Sequence, residues 1–202
     1  MTLTTEETKS GRIRILADGG FVCSVTKEMW LSLGYFDSEE ISEEELEKLK
    51  KNVEYRYAYM GAVRILTLRE NSEKELRTKL LKKFSPDAVE YAVKKSEELG
   101  FTDDRKFAED YSEELYERKR YGKARIRSEL IKKGIDTSII EEVLSSLPDS
   151  DENIMELLRK KADGADIENP KEKRKIFSFL SRYGYSYSEI NDAFNLCLVE
   201  QK

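Results

Sequence analysis

The sequence contains no histidine, and that absence removes a long list of chemistries. Without an imidazole there is no Ser-His-Asp triad, no Cys-His dyad, no His-ligated zinc site and no histidine general base. Cysteine is scarce as well. Cys23 and Cys197 are the only two, too few for a four-cysteine zinc site or an iron–sulfur cluster. No secretory signal accompanies them, so they are read as reduced, buried thiols and not as a disulfide. Long apolar runs are missing. The best, Ala58 to Leu68, is broken by Arg64 and is shorter than the roughly 20 residues of a membrane-spanning helix. A mean hydropathy of −0.68 agrees. Residues 1–10 hold Glu6 and Glu7 and no apolar core, unlike a signal peptide, so no membrane association and a cytoplasmic location are expected. Gly19-Gly20 reads as a turn, and no phosphate-binding loop occurs.

What is present is charge, helix-forming sequence and a repeat. The 202 residues fit one large domain or two small ones, and the formal net charge is −5. Near the N-terminus, Arg12 to Ala17 and Phe21 to Val25 flank Asp18-Gly19-Gly20, a strong hairpin signal because Gly adopts positive φ without penalty. Thr26 to Leu33 reads as a short helix carrying Met29 and Trp30. Ser42 and Glu45 have capping-box spacing, and from there the chain reads as helical almost to its end.

The helical part repeats with a period of fifty residues. Leu76, Ile126 and Ile176 correspond, as do Leu80, Leu130 and Leu180, and each i, i+4 pair shares a helix face. The same shift aligns Phe84, Gly134 and Gly184, Ala58, Ala108 and Leu158, Val89 with Ile139, and Val93 with Val143. Each unit reads as three helices. The first spans 53–68, 72–84 and 86–99; the second 103–121, 123–133 and 137–147; the third 151–161, 170–183 and 187–198. Ser72 with Glu75, Ser138 with Glu141 and Ser186 with Glu189 have capping-box spacing. Pro86 and Pro170 suit a first helical turn, and Gly100, Gly134 and Gly184 suit helix ends. The expectation is a mainly α fold: three tandem three-helix repeats at 51–101, 102–149 and 150–202, behind an N-terminal β-hairpin and linker-helix extension at 1–50.

Charge is distributed unevenly. Residues 1–50 carry the whole deficit, −5, while 51–101, 102–149 and 150–202 carry +3, −2 and −1. Within each repeat the middle helix and its approach are basic: net +3 over Arg69 to Lys83, +7 over Arg118 to Lys133, and +4 over Lys171 to Arg182. A single charged helix is ordinarily a solvated face. Recurrence in three repeats, the richness in arginine and the presence of Tyr121 favour a basic ridge that meets an anionic partner. Its main residues are Arg118, Lys119, Arg120, Lys123, Arg125 and Arg127, extended by Arg77, Lys132, Lys133, Lys173, Arg174 and Lys175.

Other candidates have structural readings. Asp103-Asp104 formally allows a magnesium-dependent nuclease, but carboxylates in a first helical turn are what the helix dipole favours, and Asp149 to Glu152 reads the same way. Tyr55, Tyr57 and Tyr59 point in different directions on a helix and read as packing, while Tyr183, Tyr185 and Tyr187 surround a turn. No catalytic residues, metal or cofactor are expected.

Taken in order, Ser72 to Leu80, Leu99 to Ala108, Gly122 to Leu130 and Lys133-Gly134-Ile135 resemble the RecX family, most clearly over 62–147. Phe179 to Tyr185 resembles its third repeat, and Phe84 stands where glycine is more usual. The resemblance implies a regulator of the RecA recombinase, not an enzyme. It implies three-helix repeats lying along the groove of the RecA filament on single-stranded DNA and restraining ATP hydrolysis, strand exchange and repressor cleavage. A monomer with at most weak direct DNA contact is expected. The alternative is a helix-turn-helix-like nucleic-acid-binding module acting without RecA.

Overall fold

The computed structural model describes residues 1–35, 38–149, 151–163 and 169–200, so Ser150 of the acidic cluster lies outside the described residues. Three strands come first: β1 (Leu3–Glu7), β2 (Arg12–Ala17) and β3 (Gly20–Thr26), antiparallel in the order β1-β2-β3. The expected hairpin is β2–β3. Its turn residues Asp18 and Gly19 take φ of 48° and 78°, the hand that suits a two-residue turn between twisted strands.

β1 corrects the two-stranded expectation. Only Leu3 of its five residues is buried, so it carries no alternating apolar signal. Pairing with β2, from Leu3 opposite Ala17 to Glu7 opposite Ile13, makes it a strand.

Helix α1 (Lys27–Leu33) is capped by the Thr26 hydroxyl and buries Met29 and Trp30 in the core of the sheet. Helix α2 (Glu43–Leu68) starts on the Ser42–Glu45 capping box. Glu45 N–H donates to Ser42 Oγ at 3.2 Å, and the Glu45 carboxylate accepts from Ser42 N–H at 2.9 Å. It runs 26 residues without a break, so the helix expected to begin at Val53 begins ten residues earlier and positions 50 and 51 lie within it. Leu46, Leu49 and Val53 of α2 close the sheet's core, while Ala58 and Ala62 enter the first repeat's.

The repeat helices are α3 (Glu73–Leu80), α4 (Pro86–Glu98), α5 (Asp104–Glu117), α6 (Lys123–Lys133), α7 (Thr137–Ser146), α8 (Asp151–Ala162), α9 (Pro170–Tyr183) and α10 (Tyr187–Glu200). Two compact units result, Met1–Arg69 with Leu76–Thr102, and Glu70–Glu75 with Asp103–Lys202. Each repeat has its own apolar core, and the fifty-residue correspondence is its skeleton. Leu76, Ile126, Ile176, Leu80, Leu130, Leu180, Ala58, Ala108 and Leu158 are all buried.

Two details depart from a uniform period. Helix α3 ends at Leu80 instead of Phe84, whereas α6 and α9 end on Gly134 and Gly184 in the left-handed conformation. Phenylalanine does not adopt that cap readily, so residues 81–84 form a turn and Phe84 packs on the first core. The third helices start on Ser85, Asp136 and Ser186, so the second and third repeats carry one more residue than the first in the preceding loop. Asp136 thereby replaces the expected Ser138 cap, accepting from Ser138 N–H at 2.8 Å. The extra residue also makes Ile140 the buried counterpart of Val89, with Ile139 half-buried.

Candidate functional site

The basic middle helices are positioned by joints between repeats, and the two joints within the second unit are built alike. In one, the start of α3 meets the end of α6: the Ser72 hydroxyl donates to the Lys133 carbonyl at 2.7 Å and Lys74 Nζ to the Lys132 carbonyl at 3.3 Å. In the other, the start of α6 meets the end of α9, and Gly122 N–H donates to the Tyr183 carbonyl at 2.9 Å. Ser72 and Gly122 are repeat equivalents, as are Lys133 and Tyr183. Each joint sets donors at a helix N-terminus against carbonyls at a helix C-terminus, the favourable pairing of helix-end partial charges.

Close approach explains the glycines. A Cβ on Gly122 would stand 2.5 Å from the Gly184 carbonyl oxygen, and one on Gly184 would overlap Arg125. Tyr185 is buried and donates its hydroxyl to the Arg120 carbonyl at 2.8 Å, holding Arg120 at a φ of 54°. Burial pushes the Tyr185 phenol well above the ordinary tyrosine range. Tyr121 and Tyr183 meet edge to face at 5.5 Å, and Asn153 Nδ2 donates to the Tyr116 carbonyl at 3.2 Å.

Most of the cations of the expected ridge are engaged within the fold. Arg77 pairs with Glu90, and Arg127 at the equivalent position with Glu141, tying middle to third helix in two repeats. The guanidinium of Arg77 holds the Glu90 carboxyl below its usual range. In the third repeat Phe177 takes that position and packs on Tyr187 instead. Arg120 bridges Glu117 and, at 2.9 Å, Glu156 on α8. Lys123 donates to the Leu147 carbonyl at 3.1 Å behind α7. Arg125 lies 5.4 Å over the Tyr121 ring with Glu129 3.1 Å from its Nε, an ion pair without hydrogen-bond alignment. Lys132 also pairs with Glu129 at 2.9 Å. Lys133 reaches Glu75 at 2.7 Å and lies 5.1 Å from the Tyr111 ring centre. Lys173 stands 5.2 Å over Phe194.

Within the expected ridge, the exposed cations without an ion pair among the described residues are Arg118 and Lys119 after α5, and Arg174 on α9. Lys171 and Arg182, outside the expected ridge, join Arg174. With Pro170, Lys175 and Ser178 they line an open groove of about 550 Å³ along α9. Lys175 keeps an exposed one-turn pair with Glu172 at 2.7 Å, of the kind worth little in water. The signal for Lys171 and Arg182 was available from helical periodicity. Spacings of three and four residues put 171, 174, 178 and 182 on the face opposite Ile176 and Leu180, while Lys173 falls beside the core.

The acidic candidates are caps. Asp103 accepts from the N–H groups of Arg105 and Lys106, and Asp104 accepts from Glu73 N–H at 2.8 Å. Among the described residues no group of three or more Cys, Asp or Glu side chains is placed to hold a metal ion, and no helix is long and apolar enough to cross a membrane. Tyr55 stacks on Tyr91 at 5.0 Å, Tyr57 donates to the Ser24 carbonyl at 3.0 Å, and Tyr59 lies 4.9 Å from Lys95 Nζ, all of them packing roles.

Comparison with known proteins matches the three repeats one by one. Residues 58–95 match the first three-helix domain of RecX, 103–144 the second and 149–194 the third. The regulatory protein RecX of Caldanaerobacter subterraneus subsp. tengcongensis is 30% identical over 97% of this chain and 98% of its own. The chain belongs to the RecX family. Another relative, the regulatory protein RecX of Chlorobium phaeobacteroides, is 34% identical over 68% of this chain and 91% of its own. A crystal structure of regulatory protein RecX covers 95% of this chain and 98% of its own with a TM-score of 0.73 at 23% identity, a likeness of fold. The crystal structure of RecX from Lactobacillus salivarius covers 71% of this chain and 96% of its own, with a TM-score of 0.65 at 25% identity. The family is one of regulatory proteins, and the three-helix repeats and N-terminal sheet are its architecture here.

Proposed function

We propose that the chain regulates the RecA recombinase by binding the RecA filament on single-stranded DNA along its groove, and that it inhibits ATPase, recombinase and coprotease activity. The observation that carries this reading is the match of all three repeats, in order, to the three RecX domains. The regulator acts by occupancy, as a cytoplasmic monomer that catalyses nothing. A ligand shifts the filament between states only by its difference in affinity for them. A protein that fits assembled RecA and not the free subunit therefore acts on the filament alone.

Within the expected ridge, the contact role falls to cations that the fold leaves exposed. Arg118 and Lys119 carry it on the second repeat and Arg174 on the third. Arg77, Arg120, Lys123, Arg125, Arg127, Lys133 and Lys173 shape and orient that surface through the contacts described above, and the exposed Lys132 and Lys175, each in a one-turn pair worth little in water, add charge to it.

The test adds purified protein to preformed RecA filaments on single-stranded DNA and follows ATP hydrolysis and filament length together. The wild-type chain lowers both, and R118E/K119E needs roughly tenfold more protein for the same inhibition, as exposed interface charges act mainly through association. Wild-type protein that leaves both readouts unchanged, while still binding DNA, would instead favour a module acting without RecA.

A further inference from the structure

The first repeat carries a tyrosine and methionine stripe that its counterparts lack. Arg56, Tyr59 and Met60 lie at i, i+3 and i+4 on α2, and Tyr91 and Lys95 at i and i+4 on α4, so each set shares a helix face. Allowing for the extra loop residue, the second repeat has Lys106, Glu109, Asp110, Glu142 and Ser146 at these positions. The third has Glu156, Arg159, Lys160, Asp192 and Leu196. Leu196 apart, those are the residues of a solvated face. A neighbouring contact changes chemistry in the same way: Tyr55 stacks on Tyr91 at 5.0 Å, where the second repeat pairs Arg105 with Glu142. Helix α1 brings Met29 and Ser32 to the same place, and the three helices line an open groove of about 780 Å³ within the first compact unit.

We infer that this groove docks an acidic peptide segment of a partner protein, seating an apolar side chain against Tyr59, Met60 and Met29 and its carboxylates against Arg56 and Lys95. The site is separate from the cations assigned to the filament. Two observations carry it. The first is the lining itself. Tyrosine, methionine and arginine are the residues enriched at the centres of protein interfaces. Met60 is exposed on α2, and methionine adapts to partner side chains of different shape. The second is charge complementarity. Arg56 is half-buried and donates to the Ser32 hydroxyl and, at 3.2 Å, to the Ser32 carbonyl. Lys95, also half-buried, donates to the Tyr91 hydroxyl at 3.2 Å and lies 4.9 Å over the Tyr59 ring. Neither has an ion pair among the described residues. A cation held partly out of water gains from an incoming carboxylate through a charge-assisted hydrogen bond. Glu28 is the one anion among the described lining residues, and its carboxylate is already held by its own N–H and the Thr26 hydroxyl at the start of α1.

The experiment uses the full chain with isotope-labelled methionine methyl groups and follows them by NMR. The chain has four methionines, Met1, Met29, Met60 and Met155, so the site reports on itself against two internal controls. The probes are short fluorescein-labelled peptides with a leucine, phenylalanine or tryptophan flanked by glutamates. Addition shifts the methyl resonances of Met29 and Met60 and leaves those of Met1 and Met155 in place. By anisotropy, peptides with glycine for the apolar residue, or lysine for the glutamates, bind roughly tenfold more weakly. K95E and M60D each weaken binding of the acidic apolar peptide roughly tenfold, while R118E/K119E binds it as the wild type does. Circular dichroism checks folding, and K95Q, with a loss in the same direction, replaces K95E if the charge reversal does not fold. No shift at Met29 and Met60 with any of the three apolar residues overturns the inference, as does equal binding of the glycine peptide. A single-stranded oligothymidylate that moves the same two methyl groups and displaces the peptide at equal charge concentration also overturns it, in favour of nucleic acid.

Discussion

At the scale of single residues, charge and role separate. Arg120 and Arg118 are two positions apart in one basic run, yet Arg120 is held by Glu117, Glu156 and a backbone bent to positive φ, while Arg118 is exposed. The residue that holds the turn is Tyr185. Its phenol is neutral in the fold and its pKa is raised by burial, so its contribution is complete below the pKa of an unfolded tyrosine, about 10, and is lost as pH rises above that. Tyr185→Phe removes the hydrogen bond to the Arg120 carbonyl and lowers unfolding free energy by about 1 kcal/mol at neutral pH. Urea titration at pH 8 and pH 11 checks both points: the wild type loses more stability between the two than the variant does. Equal losses contradict the assigned role.

At the scale of elements, caps and helix ends decide boundaries more than apolar periodicity does. The periodic core residues of α6 and α9 were legible, and α6 occupies the very span its sequence indicates, whereas in α7 the fifty-residue shift pointed to Ile139 and the structure buries Ile140. The cap of α7 was not, because Asp136 and Ser138 both suit the position and one extra loop residue decides between them. Asp136 accepts from both the backbone N–H and the hydroxyl of Ser138, and these bonds hold its carboxyl below the ordinary range. Asp136→Ala costs about 1 kcal/mol as the loss of an N-cap, and Ser138→Ala costs much less. Thermal melts of the two variants test this, and a larger loss for Ser138→Ala would return the cap to Ser138. Strand β1 was not legible for a related reason. One inward residue, Leu3, makes no pattern until β2 pairs with it.

At the scale of the whole molecule, net charge is a poor guide to partners. The formal charge of −5 resides in residues 1–50, and the helical repeats sum to zero with their cations gathered on middle helices. Several acidic side chains serve the fold. Glu45 at the cap of α2, Glu90 beside Arg77 and Asp136 at the cap of α7 all have depressed carboxyl pKa values from their hydrogen bonds. A depressed folded pKa stabilises above the unfolded value, and the contribution is lost as pH falls through the folded one. The urea midpoint therefore stays level from pH 7 to about 5 and drops below pH 4. A midpoint that rises on acidification would contradict these pairings.

The sequence by itself determined the class of fold, the fifty-residue period, most of the buried residues of the repeats and the resemblance that the family comparison then matched. These are local or periodic properties, written into which residues recur on one helix face. Only the tertiary structure decided which cations are used up in joints and ion pairs and which face outward. The partners that settle this stand far along the chain: Glu141 lies 14 residues from Arg127, Glu75 58 from Lys133, and Tyr185 65 from Arg120. Periodicity along one helix carries no record of what another helix presents to it.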